Sequence, residues 1–316
     1  MKRIIVLYLS SKYTNTINLK NFIKFYKKFN PGIKHKLIIC FKNLTSNELF
    51  KRKKILKKIK YKEFIDPSVK NDHEWGSIGR VSEEFNPSII FYMNDYSYPI
   101  KKNWLRIIAS KYKKKRIIGC SGSMSSWATN SYFRNIGDNF FIYFYKYFYF
   151  NLFIPKFPNA HLRANGLLFH SSDYLKFIKD KKIESKKNSL VLESGHKSFT
   201  NFFKKMKYQI LVINSDGKLF DETRWKNSNT FAFKKQEKLL ISDKDTRNYL
   251  NLDTKQKKKK QIMTWGSFLI TIFGNSGFIG TNLKNFCTQK KLKIFLPKKN
   301  KFEFKKNLGH IIYCIG

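Results

Sequence analysis

The feature that most constrains this chain is an alternation. Over residues 3–122, short apolar runs rich in β-branched residues trade places with longer segments whose apolar residues recur at helical spacing. "RIIVLYLS" (3–10), "KLIICF" (36–41), "SIIFYMND" (88–95) and "RIIGCSG" (116–122) read as strands. Between them, "NLKNFIKFYKKF" (18–29), "NELFKRKKILKKI" (47–59), "DHEWGSIGRVSEEF" (72–85) and "KNWLRIIASKY" (102–112) read as helices, the first stopped by Asn30-Pro31-Gly32. This order predicts an α/β fold, a mostly parallel sheet covered by helices on both faces. In such sheets ligands sit beyond the carboxyl ends of the strands. The polar residues just after 41, 95 and 122 are therefore the first place to look for a site.

The alternation weakens from about 160 to 250 and then breaks. "NLDTKQKKKKQ" (251–261) carries five lysines among eleven residues and no apolar period, the composition of a linker. Beyond it, "SFLITIFGNSGFIGTNLKNFC" predicts strand, glycine turn and helix, with "KLKIFLP" and "HIIYCIG" as two more strands. The expected organisation is a main domain over 1–250, a lysine-rich linker over 251–266, and a dinucleotide-binding Rossmann unit over 267–316 that is cut short.

Composition matters here mainly for what it excludes. The formal charge is +43, yet only nine of the 64 basic residues are arginine. Nucleic-acid recognition favours arginine for its planar bidentate fork, so no nucleic-acid partner is expected. Attraction to phosphorylated substrates or to an anionic membrane surface fits better. The four cysteines form no CxxC pair and the six histidines are scattered, which argues against a zinc site or a disulfide frame. The apolar run after Met1 is too short for a signal peptide. The aromatic stretch "FFIYFYKYFYFNLFIP" (140–155) is too short to span a bilayer. It reads as a core segment, as a loop over the active site, or as a contact with the membrane surface. The expected location is cytoplasmic, peripheral at the inner membrane face.

In "IIFYMNDYSYPIKKNWL" (89–105) a strand ends in Asn94-Asp95, with Pro99 and Trp104-Leu105 following. Together with "GCSGSMSSW", "FPNAHLRANGLLF", "LESGHKSFTNFF" and "SDGKLFDETRWKNSNTF", this resembles the bacterial GT-A-type glycosyltransferases related to family 2, over residues 3–250. The resemblance implies transfer of a sugar from a nucleotide-diphosphate donor to a cell-surface polysaccharide or lipid-linked acceptor. It also implies a divalent cation, Mg²⁺ or Mn²⁺, on the donor diphosphate. This chain departs from the pattern there: Asn94-Asp95-Tyr96-Ser97 supplies one carboxylate where an Asp-x-Asp would supply two. Asp95 is then either a donor or metal ligand, or a turn residue at the strand's end.

The same resemblance assigns the catalytic base to Glu193, on a loop before a helix, although Glu193 or Ser194 would equally serve as that helix's cap. His161, Arg163 and Asn165 in "HLRANG" fit phosphate and sugar hydroxyls. Arginine is scarce in this chain, which singles out Arg163 and also Arg224, beside Trp225 whose ring suits a sugar face. Arg80 on its helix reads as solvated or salt-bridged. Asp72 and Glu74 are expected near the nucleotide base or ribose by analogy alone, and Trp127 as packing.

The terminal glycines form the motif Gly274-Asn275-Ser276-Gly277-Phe278-Ile279-Gly280. A strand running into this turn and out into a helix is the context that pyrophosphate binding requires. "IFGNSGFIGTNL" resembles the opening of the extended short-chain dehydrogenase/reductase family, the nucleotide-sugar epimerases and dehydratases. That implies NAD or NADP, with Lys298 and Lys299 either meeting a 2′-phosphate or being two more lysines in a lysine-rich chain. The family's Tyr-x-x-x-Lys has no counterpart here, since Tyr313 is the only tyrosine after Gly280. Two further readings stand beside glycosyl transfer: a NAD(P)-dependent epimerase or reductase, and an inactive nucleotide- or carbohydrate-binding module.

Overall fold

β1 (Ile4–Ser11) is buried at seven of its eight positions, which places it inside a sheet covered on both faces. The computed structural model that shows this describes residues 3–130, 140–266, 269–289, 293–297 and 310–314. β1 leads into α1 (Thr16–Lys28), whose first turn is capped by the Asn15 side chain accepting from the backbone N–H groups of Ile17 and Asn18. β2 (Lys36–Lys42) is followed by α2 (Ser46–Leu56), opened by a reciprocal capping box between Thr45 and Glu48. β3 (Lys62–Ile65), α3 (His73–Glu84) and β4 (Ile89–Met93) complete the first half.

β5 (Tyr98–Pro99), α4 (Trp104–Ala109), β6 (Arg116–Gly119), β7 (Gly122–Ser123), α5 (Trp127–Asn130) and α6 (Phe140–Phe153) follow. Then come β8 (His161–Leu162), β9 (Leu167–His170), α7 (Ser171–Ile178), α8 (Lys186–Ser194), α9 (Phe199–Lys205), β10 (Gln209–Ile213) and β11 (Leu219–Phe220). After a 3₁₀ turn over Glu222–Ser228, β12 (Ile241–Ser242), α10 (Lys244–Asn251) and α11 (Thr254–Trp265) follow.

Eight strands form one sheet in the order β11-β10-β6-β9-β4-β1-β2-β3. β1 pairs in parallel with β2 and β4, and β10 with β6. β9 runs antiparallel between β4 and β6, and β11 is an antiparallel edge. The expected mostly parallel α/β sheet is therefore present. One face is filled by Val6, Tyr8, Phe22, Ile39, Phe91 and Trp104. An aromatic cluster of Trp75, Phe169, Tyr174, Phe177, Phe199 and Phe203 packs α3, α7 and α9 together, with neighbouring ring centroids 4.9–6.3 Å apart.

Sequence patterning missed β3, a four-residue strand in which only Phe64 is buried. The lysine-rich stretch, expected as a linker from its composition, is helical in α11 over Thr254–Trp265. Lysine and glutamine are good helix formers, and Asp253 Oδ1 accepts from the Gln256 N–H at 2.8 Å to start the helix.

By internal contacts the chain divides into Met1–Thr264 and Trp265–Gly316. The second unit holds β13 (Leu269–Phe273), α12 (Phe278–Gln289), β14 (Lys293–Phe295) and β15 (His310–Tyr313). Its strands are ordered β14-β13-β15, and β13 is parallel to both neighbours.

Candidate active site

The strand order reverses at β1: the chain moves outward through β2 and β3, then crosses back to lay β4 on the other side of β1. Such a switch point opens a crevice beyond the strand ends. Here it holds a cleft of about 380 Å³, lined by Ser11, Lys42, Asn94 and Asp95 at the ends of β1, β2 and β4. His73 and Glu74 enter from the start of α3, Arg163 and Asn165 from the β8–β9 connection, Lys186 and Glu193 from α8, and Asp245 from α10.

Asp95 is buried, and its Oδ2 accepts from Ser11 Oγ at 2.5 Å and Thr14 Oγ1 at 3.1 Å. Burial pushes its carboxyl up from the ordinary value, and those two hydroxyls only partly offset it. Arg52 braces the β1–α1 loop from beneath, donating to Ser10 Oγ at 2.8 Å, to the Ser11 carbonyl at 2.9 Å and to the Thr14 carbonyl at 2.5 Å. Sequence reasoning passed over Arg52, although arginine's rarity here was the signal that marked the other arginines. Asn94 turns its side chain back on its own loop: Oδ1 accepts from the Tyr96 N–H at 3.1 Å and Ser97 Oγ at 2.5 Å. It is the turn former of this loop.

A divalent cation bound by protein alone needs several oxygen ligands. No group of three or more His, Cys, Asp or Glu side chains that suits a metal occurs among the described residues. Asp95 has its Oδ2 committed to two hydroxyls, and Asn94 has its oxygen committed to the turn. The side chains here do not fit a dedicated cation cage.

Arg163 is not a free phosphate clamp. Burial works against its charge, but Asp243 and Asp245 outweigh it and raise its pKa further. Its guanidinium donates to Asp243 Oδ2 at 2.7 Å and Asp245 Oδ2 at 2.8 Å, and lies 3.9 Å over the Phe231 ring. Asn165 belongs to the same frame, donating to Asp243 Oδ2 at 3.1 Å while accepting from Ser97 Oγ at 2.7 Å. These residues tie the β4 loop, the β8–β9 connection and α10 into one wall of the cleft. His161 is buried, with Nδ1 2.8 Å from the Asn159 carbonyl, and burial lowers its pKa despite nearby Glu193.

Glu193 stands in the last turn of α8 and not on a loop. The next helix, α9, is capped by Ser198, so neither Glu193 nor Ser194 serves as a cap. Glu193 Oε1 accepts from the Ala164 N–H at 2.9 Å, which aims it across the cleft. One turn earlier on the same helix, Ser189 Oγ donates to Glu74 Oε1 at 3.1 Å and accepts from Trp75 Nε1 at 3.1 Å. Burial and the nearby charge of Glu193 push the Glu74 carboxyl up to about 7.

Asp72 is committed elsewhere. Lys42 Nζ lies 2.5 Å from Asp72 Oδ1 and 3.2 Å from Asp66 Oδ2, and all three side chains are almost fully buried. Arg80 closes the network, 2.7 Å from Asp66 and 2.7 Å from Asp72. Both Asp72 oxygens are thus taken by cations, and Arg80 is salt-bridged as its position implied. Trp225 cannot present a face to a sugar, because it is fully buried. Its ring lies so close to Gly122 that a Cβ there would sit 2.6 Å from it. Arg224 is exposed, paired with Asp221 at 2.5 Å, and outside the cleft lining. Trp127, expected to pack, is 49% exposed.

In the second unit Gly274 has φ +72°, and a Cβ there would lie 2.0 Å from the Cys314 carbonyl. At Gly280 a Cβ would lie 2.1 Å from the Gly274 carbonyl, so turn and helix pack backbone to backbone. At Gly277 a Cβ would make only ordinary van der Waals contact, 3.7 Å from the Gly274 carbonyl. Asn275 and Ser276 form the turn between β13 and α12, while Phe278 and Ile279 begin α12 with their side chains exposed. Lys298 and Lys299 lie outside the described residues.

No family model matches the chain, and no curated protein matches it in sequence. Solved structures similar to it include 4-diphosphocytidyl-2C-methyl-D-erythritol synthase from Anaerococcus prevotii, at 10% identity and TM-score 0.41, covering 67% of this chain and 88% of that one. The galactosyltransferase LgtC in complex with donor and acceptor sugar analogues is similar at 7% identity and TM-score 0.36, covering 67% and 73%. S. aureus TarS is similar at 12% identity and TM-score 0.34, covering 63% and 34%. Likenesses this distant carry no weight for function.

Proposed function

We propose that this chain transfers a sugar from a nucleotide-diphosphate donor to a hydroxyl of a glycan or lipid-linked acceptor. The observation that carries the reading is the convergence of Asp95, Glu74 and Glu193 on one cleft at the switch point between β1 and β4. In this reaction the acceptor oxygen bonds to the anomeric carbon as the bond from that carbon to the diphosphate breaks. The acceptor's proton goes to a base, and Glu193, oriented by the Ala164 N–H, takes that role. Lys186, exposed at the cleft and without a salt-bridge partner among the described residues, meets the departing diphosphate. Asp95, Asn94, Arg163 and Asn165 shape the donor side, with the Arg163–Asp243 pair fixing the wall, while His161 is buried outside the cleft lining. No step is assigned to a cation.

The test is thermal unfolding of the full chain with UDP, GDP, dTDP or CMP, each with and without Mn²⁺. A ligand that binds only the folded state raises the midpoint. A rise with one nucleotide diphosphate, retained in Glu193→Gln while donor turnover is lost, supports the reading. No rise with any of the four refutes it.

A second reading concerns residues 267–316, and the steric demand for glycine at 274 and 280, with no clash at Gly277, favours it. We infer that this turn is a dinucleotide cradle of the short-chain dehydrogenase/reductase kind, its backbone approaching a pyrophosphate at the start of α12. NADP or NAD, added as a separate arm, raises the midpoint in wild type and not in Gly277→Val if the cradle binds.

A further inference from the structure

The aromatic helix α6 has two unlike faces. Phe150 and Ile154 are buried and pack with Ala128 from α5, against Tyr149 and against Leu190 and Val191 from α8. On the outer face Tyr145, Phe148 and Leu152 follow at helical spacing with exposures of 54%, 61% and 70%. Trp127 lies beside this helix, its ring centroid 6.0 Å from that of Phe150. Among five tryptophans it alone is exposed. Lysines border the patch: Lys187 Nζ lies 4.0 Å over the Tyr145 ring and 5.7 Å over Tyr149, while Lys156 and Lys186 are exposed on adjoining segments.

We propose that this face binds the interface of an anionic phospholipid bilayer, with α6 lying in the membrane plane. A 14-residue helix spans about 21 Å, too short to cross the hydrocarbon core but suited to lie in the headgroup region. Tyrosine and tryptophan with a lysine border are the side chains that interface favours, apolar bodies with polar or cationic tips. A second copy of the chain is the less suited occupant. A stable interface takes about 800 Å² from each partner, and the half-exposed side chains of this helix and Trp127, at roughly 100 Å² apiece, fall short of that even with Phe144 and Phe153 counted. Bilayer binding has no such threshold, because it grows with buried apolar area and attraction to anionic headgroups.

The position has a consequence. α8 packs Leu190 and Val191 under α6 and carries Glu193 into the cleft, and the His196 N–H donates to the Phe153 carbonyl at 3.0 Å. The membrane-facing helix is thus built against the helix that carries the proposed base, placing the cleft beside a lipid-linked acceptor. That consequence rests on the glycosyl-transfer reading, whereas binding to the bilayer does not.

The experiment is co-sedimentation of the full chain with phosphatidylcholine vesicles, with and without phosphatidylglycerol, read without donor or acceptor. Wild type is expected to bind the anionic vesicles, with a blue shift in tryptophan emission that Trp127→Phe abolishes. The triple variant Tyr145→Gln, Phe148→Gln, Leu152→Gln changes only exposed positions and is expected to keep its thermal midpoint while binding about tenfold more weakly or worse. Three results overturn the proposal: wild type left in the supernatant with anionic vesicles, the triple variant binding as wild type does, or an aromatic-dependent dimer in light scattering without lipid.

Discussion

Glu74→Gln is the most informative single change, because it separates a titrating cleft carboxyl from an ordinary one. Folding raises this pKa from the ordinary value of 4.5 to about 7, so the native state favours the protonated form. The sign follows: Glu74 adds stability in full below about pH 4.5, and that contribution is lost as pH rises through 7. Between those values the unfolded chain has already released its proton while the native state retains it. A shift of this size corresponds to about 3 kcal/mol. The carboxyl is partly open to the cleft, where water screens it, so about 2 kcal/mol is the expected amount. Glutamine mimics the protonated acid and keeps the Ser189 hydrogen bond. Urea unfolding of both proteins at pH 4.5 and pH 8 measures the effect. Relative to wild type, Glu74→Gln should gain about 2 kcal/mol across that interval. Equal pH dependence in the two proteins would show that Glu74 does not titrate there, and the reasoning from burial beside Glu193 would fail.

Other outcomes follow from the same structure. Lys42→Met strips a buried cation from Asp66 and Asp72, leaving Arg80 alone to balance both; a loss of about 3 kcal/mol in urea unfolding is expected, and a loss under 1 would refute the network's role. Burial pushes the Asp66 carboxyl up, but hydrogen bonds from Arg80 and Ser77 outweigh it and hold it below 3.8, so its contribution is present above that value and lost as pH falls further. Acid unfolding of Asp66→Asn, flatter than wild type below about pH 4, checks this. Gly122→Ala drives a methyl into the Trp225 ring and should lower stability by about 2 kcal/mol, whereas a neutral result would mean that Trp225 moves aside at little cost.

Much of the fold was legible because periodicity and capping are local. The runs at 3–10, 36–41 and 88–95 have too many consecutive apolar residues for a half-exposed strand, and each is a buried strand of the sheet. The helix caps Asn15, Thr45 and Ser198 act by chemistry within three residues, yet the apolar period alone started the first two helices one or two residues late and put the third cap at Glu193 or Ser194. The lysine-rich stretch shows no apolar period yet is helical, because solvated polarity does not oppose helix formation when the residues are good helix formers and Asp253 caps them.

The site was legible only in part. Asp95 stands just past the end of β4, as a strand end read from sequence predicts, whereas Glu193, expected on a loop before a helix, lies in the last turn of α8. Their partners could not be placed, since Ser11 lies 84 residues from Asp95 and Ala164 lies 29 from Glu193. The same limit governs Asp72, Arg163 and Trp225: sequence marks each as polar, scarce or aromatic, but only the fold brings Lys42, Asp243 or Gly122 against them. By itself the sequence determined the α/β order, the positions of the strand ends and the strand–glycine–helix turn at 269–289. Tertiary structure alone decided which charges are spent on each other, which carboxyls remain to face the cleft and which side of the aromatic helix is left open. Those outcomes depend on burial and on contacts between distant segments, and neither is a property of any one stretch of chain.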